Sequence, residues 1–221
     1  MTTPAGLANK IFIIDDHDIV RFGLATLLKS DERFEVIGTA SALTEGVEAI
    51  ERLKPDLVIS DMSMDDSKGL DTVRAVVAAQ QSRKVLIVSM HDELIYAEQV
   101  IALGAQGYLM KESAQEHVTL ACQTVLGGDT WVSKKVSTHL LNRIMKRSRH
   151  DGAASASAGT GPLSAREVEV FEKIGMGKTT KEIAYELNLS PRTVDIHRAS
   201  IKRKFGLKSG AEVVAFAVSR T

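Results

Sequence analysis

The sequence predicts two domains: an α/β domain built on a doubly wound, five-stranded parallel sheet, and a second, smaller all-α domain that contains a helix-turn-helix. Three observations support this fold class. Short apolar runs alternate with longer amphipathic runs over the first 130 residues, a stretch of small residues interrupts the pattern at 151–161, and only helical patterns follow it. We therefore divide the chain into residues 1–130, 131–162 and 163–221.

Five strand-like runs each precede a helix-like run in the first domain. In chain order the pairs are KIFII and RFGLATLLK, FEVIGTA and LTEGVEAIERL, DLVIS and LDTVRAVVAAQ, KVLIVS and IYAEQVIAL, and GYLM and HVTLACQTVL. Continuously apolar strands are typical of a parallel sheet that is buried on both faces. Beyond them, SKKVSTHLLNRIMKR has the spacing of a linker helix, and DGAASASAGTG is typical of a flexible linker because it has nothing large to bury.

Four helices are predicted in the last domain from their start signals. Ser or Thr followed three residues later by Glu forms a capping box, and Ser directly before Pro is another preferred start. These signals occur at Ser164–Glu167, Thr179–Glu182, Ser190–Pro191 and Ser209–Glu212. Helices should therefore begin near residues 165, 180, 191 and 210, and the second and third, separated only by NLS, predict a helix-turn-helix.

Charge and cysteine content limit the function classes. The formal net charge is zero, but the first 145 residues carry 20 acidic and 14 basic side chains, whereas residues 163–221 carry 7 and 11. Such a split indicates different partners for the two halves. The single cysteine excludes an internal disulfide framework, and no signal peptide or membrane-spanning run is found, so we expect a cytoplasmic protein without a membrane partner.

Polar side chains stand where the predicted strands end. Asp15 and Asp16 follow the first strand, Asp61 the third and Lys111 the fifth, while Ser89 ends the fourth. Ligands of such sheets bind beyond the carboxyl ends of the strands, so these side chains should converge. Three carboxylates repel one another unless a cation binds, and Mg²⁺ prefers oxygen ligands, with Asp16 and Asp61 as the expected direct ones. A carboxylate can also attack phosphorus, with Lys111 and Ser89 neutralising the phosphoryl oxygens.

These motifs resemble the receiver domain of bacterial two-component response regulators. The resemblance covers residues 10–127 and rests on IIDDH, ISDMSM, IVSM and GYLMKES. It implies a flavodoxin-like fold, a sensor histidine kinase as partner, and Asp61 as the phosphoacceptor beside Lys111. It further implies that Ser89 turns toward the phosphoryl group while Tyr108 swings inward.

The same resemblance implies Mg²⁺ as cofactor. Its ligands would be Asp16, Asp61 and the backbone carbonyl of Ser63, with Asp15 acting through water. An aspartate-nucleophile phosphatase is an alternative, but it would need a second acid two residues after Asp61, where Ser63 stands. We therefore expect no enzyme activity beyond the receiver's own aspartyl phosphorylation and dephosphorylation.

One position departs from the receiver pattern. Receivers usually carry proline four residues after the phosphoacceptor, whereas Asp65 stands there and is followed by Asp66. We expect a looser and more acidic loop beside Asp61. The departure keeps a second hypothesis open, in which the receiver is a phosphorylation-independent interaction module of a DNA-binding regulator.

The third helix of the last domain is strongly basic. It carries five basic side chains and one acidic one, Asp195, and it exposes Ile196 and Ala199 between the charges. A positive helix fits the major groove and binds phosphates, and small apolar side chains can contact thymine methyl groups there. Asp195 either accepts a hydrogen bond from cytosine N4 or repels phosphate and so sharpens specificity.

Residues 163–219 resemble the LuxR-type DNA-binding domain through LSAREVEV, KTTKEIAYELNLSPRTVDIHRASIKRKFGL and AEVVAFAV. The resemblance implies backbone-phosphate contacts by Thr180, Lys181, Ser190 and Arg192. It implies base-facing positions at Asp195, Ile196 and Ala199, flanked by His197, Arg198 and Lys202. The final helix would pack partly on its own domain and partly on a second subunit.

The stretch IGMGKTTKEI contains GKT and invites an ATPase hypothesis. A phosphate-binding P-loop needs glycine five residues before Gly177, where Glu172 stands, and it should follow a strand, whereas EVEVFEKI has a helical pattern. The stretch is better explained by glycines that end one helix and by Thr179, which caps the next.

Together the two resemblances identify the chain as a NarL/FixJ-type response regulator, a transcription factor controlled by phosphorylation. The expected partners are a sensor histidine kinase, double-stranded DNA and RNA polymerase. We also expect a homodimer when the chain is phosphorylated or bound to DNA.

Overall fold

The computed structural model describes residues 8–81, 84–148 and 163–220. The predicted flexible linker lies outside these residues, as do the first seven residues of the predicted N-terminal domain. The chain divides into two compact units: one holds the residues up to Met90 together with Val100–Ser133, and the other holds His91–Gln99 and the residues from Lys134 onward. The domain limits inferred from the sequence stay a prediction.

A five-stranded parallel sheet forms the centre of the first unit. Its strands are β1 (Asn9–Ile14), β2 (Phe34–Ala40), β3 (Leu57–Ser60), β4 (Lys84–Ser89) and β5 (Gly107–Met110). The strand order is β2-β1-β3-β4-β5 and every neighbouring pair is parallel, which confirms the predicted sheet. Because the order reverses between β1 and β3, the loops after these two strands diverge and leave a crevice.

The helices follow the strands in the predicted alternation. They are α1 (Asp18–Lys29), α2 (Leu43–Leu53), α3 (Leu70–Gln80), α4 (Glu93–Ala102), α5 (Ala114–Leu126) and α6 (Lys134–Ser148). A turn of 3₁₀ helix, Lys111–Ser113, connects β5 to α5. The strand alternation sends Ile11 and Ile13 into one core with α1 and α5, where Leu28 and Val125 are fully buried.

On the other face of the sheet, α2 approaches β1 closely. A Cβ atom at Gly46 would lie 2.5 Å from Cδ1 of Ile14, so only glycine fits there without a shift. This contact brings the beginning of α2 near the carboxyl end of β1. None of the described helices has the length and apolar character that crossing a membrane requires.

Four helices form the C-terminal part of the second unit: α7 (Ala165–Gly175), α8 (Thr180–Glu186), α9 (Pro191–Lys204) and α10 (Gly210–Val218). All four begin at or within a residue of the predicted positions. Ser164 and Thr179 form complete capping boxes, and Ser190 accepts a hydrogen bond from the backbone N–H of Thr193. The fourth box is half formed, because Glu212 accepts from the backbone N–H of Lys208 rather than of its own N-cap residue.

Three phenylalanines join these helices. Phe205 at the end of α9 lies 5.8 Å from Phe171 of α7 and 4.7 Å from Phe216 of α10, measured between ring centroids. Val194 and Ile201 of α9 are fully buried. The core thus fixes which face of α9 is turned outward.

Candidate functional site

Three aspartates and a histidine meet at the carboxyl ends of β1 and β3. The β1–β3 register pairs Ile14 with Ser60, so the residues that follow each strand lie side by side, and the Asp61 N–H donates to the Ile14 carbonyl at 2.8 Å. Asp15, Asp16, His17 and Asp61 each present a ligand atom within 4.8 Å of the others. The three aspartates therefore lie close together, as the sequence predicted.

Lys111 joins this cluster from the end of β5. Its Nζ lies 2.7 Å from Oδ2 of Asp15 and 2.7 Å from Oδ2 of Asp61, and its side chain is only 4% exposed. Burial acts to lower the pKa of Lys111, but the hydrogen bonds to Asp15 and Asp61 outweigh it and raise the pKa above its usual value. The ammonium therefore stays charged between the two carboxylates.

Asp61 has a raised pKa. Burial is the largest cause, and the hydrogen bond from Lys111 offsets it only in part. Its second oxygen, Oδ1, accepts from the backbone N–H of Met62 at 2.6 Å. A buried carboxylate held between an ammonium and an amide is well oriented, and burial removes the water that would shield it.

The donor set suits a hard divalent cation. Three carboxylates supply the oxygen ligands that such ions prefer. Ser63 lies two residues after Asp61 and is half-buried, and its role as a carbonyl ligand stays a prediction. The cluster can therefore bind a metal ion.

His17 is a member of this cluster that the sequence analysis missed. Its Nδ1 lies 2.6 Å from Oδ1 of Asp16 and 3.4 Å from Oδ1 of Asp15, and its backbone N–H donates to Asp15 at 2.8 Å. The available signal was its position directly after the acidic pair in IIDDH. His17 is exposed, so it lies at the outer edge of the crevice.

The two predicted switch residues lie inside the protein. Ser89 ends β4 and is fully buried, and Tyr108 in β5 is 1% exposed. The backbone N–H of Tyr108 donates to the Trp131 carbonyl at 2.9 Å, which fixes the strand at this residue. The resemblance associates an inward position of Tyr108 with the phosphorylated state.

The loop between β3 and α3 is held at several points, although the sequence led us to expect a loose one. Met64 and Ser67 exchange backbone hydrogen bonds of 2.7 and 3.2 Å. The carboxylate of Asp66 accepts from the backbone N–H groups of Leu43 and Thr44 at 3.0 Å each. Asp66 thus connects this loop to the start of α2.

The predicted DNA-binding residues gather on α8 and α9. Those fully turned to solvent are Lys181, Ser190, Arg192, Asp195, Ile196 and Ala199, and those half-buried are Thr180, His197, Arg198 and Lys202. Ile196 is 61% exposed, so an apolar side chain lies among the charged ones. The structure therefore presents basic, acidic and apolar groups together on the outward face of α9.

Two details refine this surface. The hydroxyl of Thr180 donates to Oδ1 of Asp195 at 3.5 Å, which joins the start of α8 to the outward face of α9. Tyr185 is 89% exposed and follows Lys181 by four residues, so both side chains lie on one face of α8. Tyr185 was not among the residues predicted from the sequence, although the helical spacing from Lys181 was a usable signal.

Two family models match the chain. The response regulator receiver domain matches residues 11–123, and the luxR family of bacterial regulatory proteins matches residues 161–217. The chain belongs to the response regulators, with an N-terminal receiver domain and a C-terminal LuxR-type DNA-binding domain. This confirms the fold and the class of protein that the motifs indicated.

Similar proteins extend over nearly the whole chain. The oxygen regulatory protein NreC of Staphylococcus epidermidis is 37% identical over 215 residues, which cover 96% of this chain and 97% of that protein. NreC of Staphylococcus aureus strain MRSA252 is 36% identical over 212 residues, with the same coverage. These relatives belong to the NarL/FixJ family predicted from the sequence.

Solved structures of RcsB have the same fold. RcsB in a structure of two dimers bound to two parallel DNAs aligns with a TM-score of 0.63 at 24% identity, covering 97% of this chain and all of that one. RcsB of Salmonella enterica serovar Typhimurium, bound to a promoter in the presence of phosphomimetic BeF3-, aligns with a TM-score of 0.70 at 22% identity, covering 96% and 98%.

Proposed function

We propose that this response regulator is a transcription factor controlled by phosphorylation of Asp61 from a sensor histidine kinase. The observation that carries the proposal is the placement of Lys111, 2.7 Å from both Asp15 and Asp61 in a cluster of carboxylates. This arrangement gives a buried nucleophile and a fixed positive charge at one point of the crevice. Phosphoryl transfer needs little more than that, because positioning and charge neutralisation supply most of its catalysis.

In the proposed reaction, a carboxylate oxygen of Asp61 attacks the phosphorus of a phosphohistidine. The new P–O bond forms as the P–N bond breaks, and the imidazole leaves with the electron pair. Lys111 neutralises the charge on the phosphoryl oxygens, and the Ser89 hydroxyl then donates to one of them. Asp15, Asp16 and Asp61 would hold Mg²⁺, which supplies further positive charge to the phosphoryl group when bound.

Intact-mass measurement tests this proposal. We expect the chain to gain the mass of one phosphoryl group when it is incubated with acetyl phosphate and Mg²⁺, and we expect Asp61→Asn to gain none. Labelling of the variant to the same extent would show that the acceptor is another residue. A wild-type chain that stays unlabelled would favour the alternative, in which the receiver is a phosphorylation-independent interaction module.

We propose that the outward face of α9 reads the major groove of double-stranded DNA. Arg192, Arg198 and Lys202 would neutralise phosphates, while Asp195 and Ile196 face base edges. The RcsB structures support this, since that protein was solved as dimers bound to DNA in the same overall fold. A homodimer on DNA and contact with RNA polymerase follow as parts of the proposal.

We propose that the protein is cytoplasmic, as a regulator that binds bacterial DNA would be. We also propose that it turns over no separate substrate. Position 63 carries serine rather than the second acid of an aspartate-nucleophile phosphatase. Incubation of the chain with phosphate esters should release no phosphate beyond the background of Asp61→Asn. Steady release that depends on Asp61 would instead identify a phosphatase.

A further inference from the structure

Helix α2 lacks an N-cap of its own. Its N-cap residue is Ala42, whose methyl group cannot accept a hydrogen bond, and the structure shows no side-chain cap from it. The first N–H groups of a helix have no partner within the helix and need an acceptor from elsewhere. The first N–H groups of α2 therefore have no local side-chain acceptor at the N-cap position.

Asp66 supplies that cap from the loop between β3 and α3. Its Oδ1 accepts from the Leu43 N–H at 3.0 Å, and its Oδ2 accepts from the Thr44 N–H at 3.0 Å and from the Thr44 hydroxyl at 3.1 Å. The hydrogen bond from Leu43 is the largest of the causes that lower the pKa of Asp66. The carboxylate is therefore ionised at neutral pH, which strengthens all three bonds.

The loop that contains Asp66 begins at Asp61, the proposed phosphoacceptor. Asp66 follows Asp61 by five residues and lies inside a turn that the paired backbone bonds of Met64 and Ser67 close. Met64 is also buried, so the turn cannot slide freely. A shift of Asp66 would consequently be transmitted to Ser63 and Asp61.

We propose that Asp66 is a positioning residue for phosphorylation: by binding the start of α2, it holds the β3–α3 loop in the conformation that Asp61 requires. The inference rests on the proposed phosphorylation of Asp61. Asp66 touches neither phosphoryl donor nor metal, and it acts through the loop. In this chain it takes over the rigidity that a proline at position 65 would provide.

The test compares the rates of phosphorylation of Asp66→Ala and Asp65→Ala by acetyl phosphate with Mg²⁺ in the full chain. Asp65 is the matched control, since it is the adjacent acid, is exposed, and makes no side-chain hydrogen bond or ion pair within the described part of the chain. We expect Asp66→Ala to react about tenfold more slowly, because small displacements of a reacting group are costly. Asp65→Ala should react at the wild-type rate.

A second variant separates positioning from simple stabilisation of α2. Ala42 has the extended backbone of an N-cap, with φ −138° and ψ 151°, so serine fits there as a local cap. Ala42→Ser combined with Asp66→Ala should recover the melting temperature lost in Asp66→Ala, while the phosphorylation rate stays low.

Recovery of the rate together with the melting temperature would overturn the proposal, as would equal rates for Asp66→Ala and Asp65→Ala. Failure of the wild-type chain to be phosphorylated in the same assay would instead contradict the proposed function itself. The two failures are therefore distinguishable.

Discussion

At the scale of single residues, Lys111 determines the electrostatics of the receiver site. Its ammonium binds two carboxylates that burial has removed from water, and without it these carboxylates would face each other unscreened. The same charge is needed in phosphoryl transfer, where negative charge spreads over the phosphoryl oxygens. Lys111 thus stabilises the site as the structure shows it, and in the proposed reaction the same side chain would stabilise the phosphoryl group.

Replacing Lys111 with Met should raise the pKa of Asp61 further and slow phosphorylation by at least about tenfold. The pKa is expected to rise because the Lys111 hydrogen bond lowers it against the effect of burial. Carboxyl NMR titration gives the pKa, and acetyl phosphate labelling gives the rate. Lys68→Met, which removes an exposed lysine from the loop between β3 and α3, should change neither the pKa of Asp61 nor the phosphorylation rate.

Arg198 and Lys202 should contribute to DNA binding through phosphates. Changing either to Ala should weaken binding and reduce the slope of log affinity against log salt concentration by about one unit. Fluorescence anisotropy across a salt series measures both quantities. The control is Lys29→Ala, because Lys29 is an exposed lysine at the end of α1. Equal slopes for all three variants would contradict phosphate binding by the outward face of α9.

Asp195 should select cytosine. It is an exposed acid on a basic helix, and its Oδ1 lies 3.5 Å from the Thr180 hydroxyl, so a hydrogen-bond acceptor is present on the outward face of α9. Accepting a hydrogen bond from cytosine N4 favours cytosine over the other bases at that position. Selection from a random DNA pool should therefore show a cytosine preference that Asp195→Ala loses, whereas a uniform gain in affinity for all sequences would indicate that Asp195 acts by repelling phosphate.

At the scale of the helices, an ion pair between Glu167 and Lys204 joins α7 to α9 within the DNA-binding domain. The two atoms lie 2.6 Å apart and both side chains are largely buried. Burial acts to raise the pKa of Glu167, but hydrogen bonds from Lys204, Ser200 and Ser164 outweigh it and hold the pKa at about 2, below the usual 4.5. Glu167 is thus charged in the folded protein at neutral pH.

Glu167→Gln should lower the free energy of unfolding by about 2 to 4 kcal/mol at neutral pH. The pKa is depressed in the folded state, so this stability is fully present above pH 5 and is lost as the pH falls toward 2. Denaturant unfolding of the wild type and the variant at several pH values measures it. A double-mutant cycle with Lys204→Met isolates the pair, and a difference that persists unchanged at low pH would contradict the assignment.

The elements themselves were largely predictable. The starts of the helices in the C-terminal domain were predicted correctly, because caps such as Ser164 and Thr179 accept hydrogen bonds from backbone N–H groups only three residues away. The cap that Asp66 gives to α2 was not predictable, since it joins positions 22 and 23 residues apart and depends on how two loops meet. The looseness expected of this loop stays a prediction.

At the scale of the whole molecule, the alternation of strands and helices predicted a parallel sheet, and the parallel sheet predicted that Asp15, Asp61 and Lys111 converge. The strand order, by contrast, depends on long-range packing that no local pattern encodes. The place of His17 beside Asp16 also required the structure, because side-chain directions after a strand follow from the turn. The charge split along the chain remains consistent with a kinase-facing half and a DNA-facing half.

The central claim is that phosphorylation of Asp61 controls DNA binding, and one measurement tests it directly. The affinity of the full chain for a DNA fragment enriched from a random pool is measured by anisotropy, with and without acetyl phosphate and Mg²⁺. We predict that phosphorylation tightens binding by about tenfold in the wild type, as expected for coupled sites, and leaves Asp61→Asn unchanged. Equal affinity of the wild type in both conditions, or the same gain in Asp61→Asn, would contradict the claim.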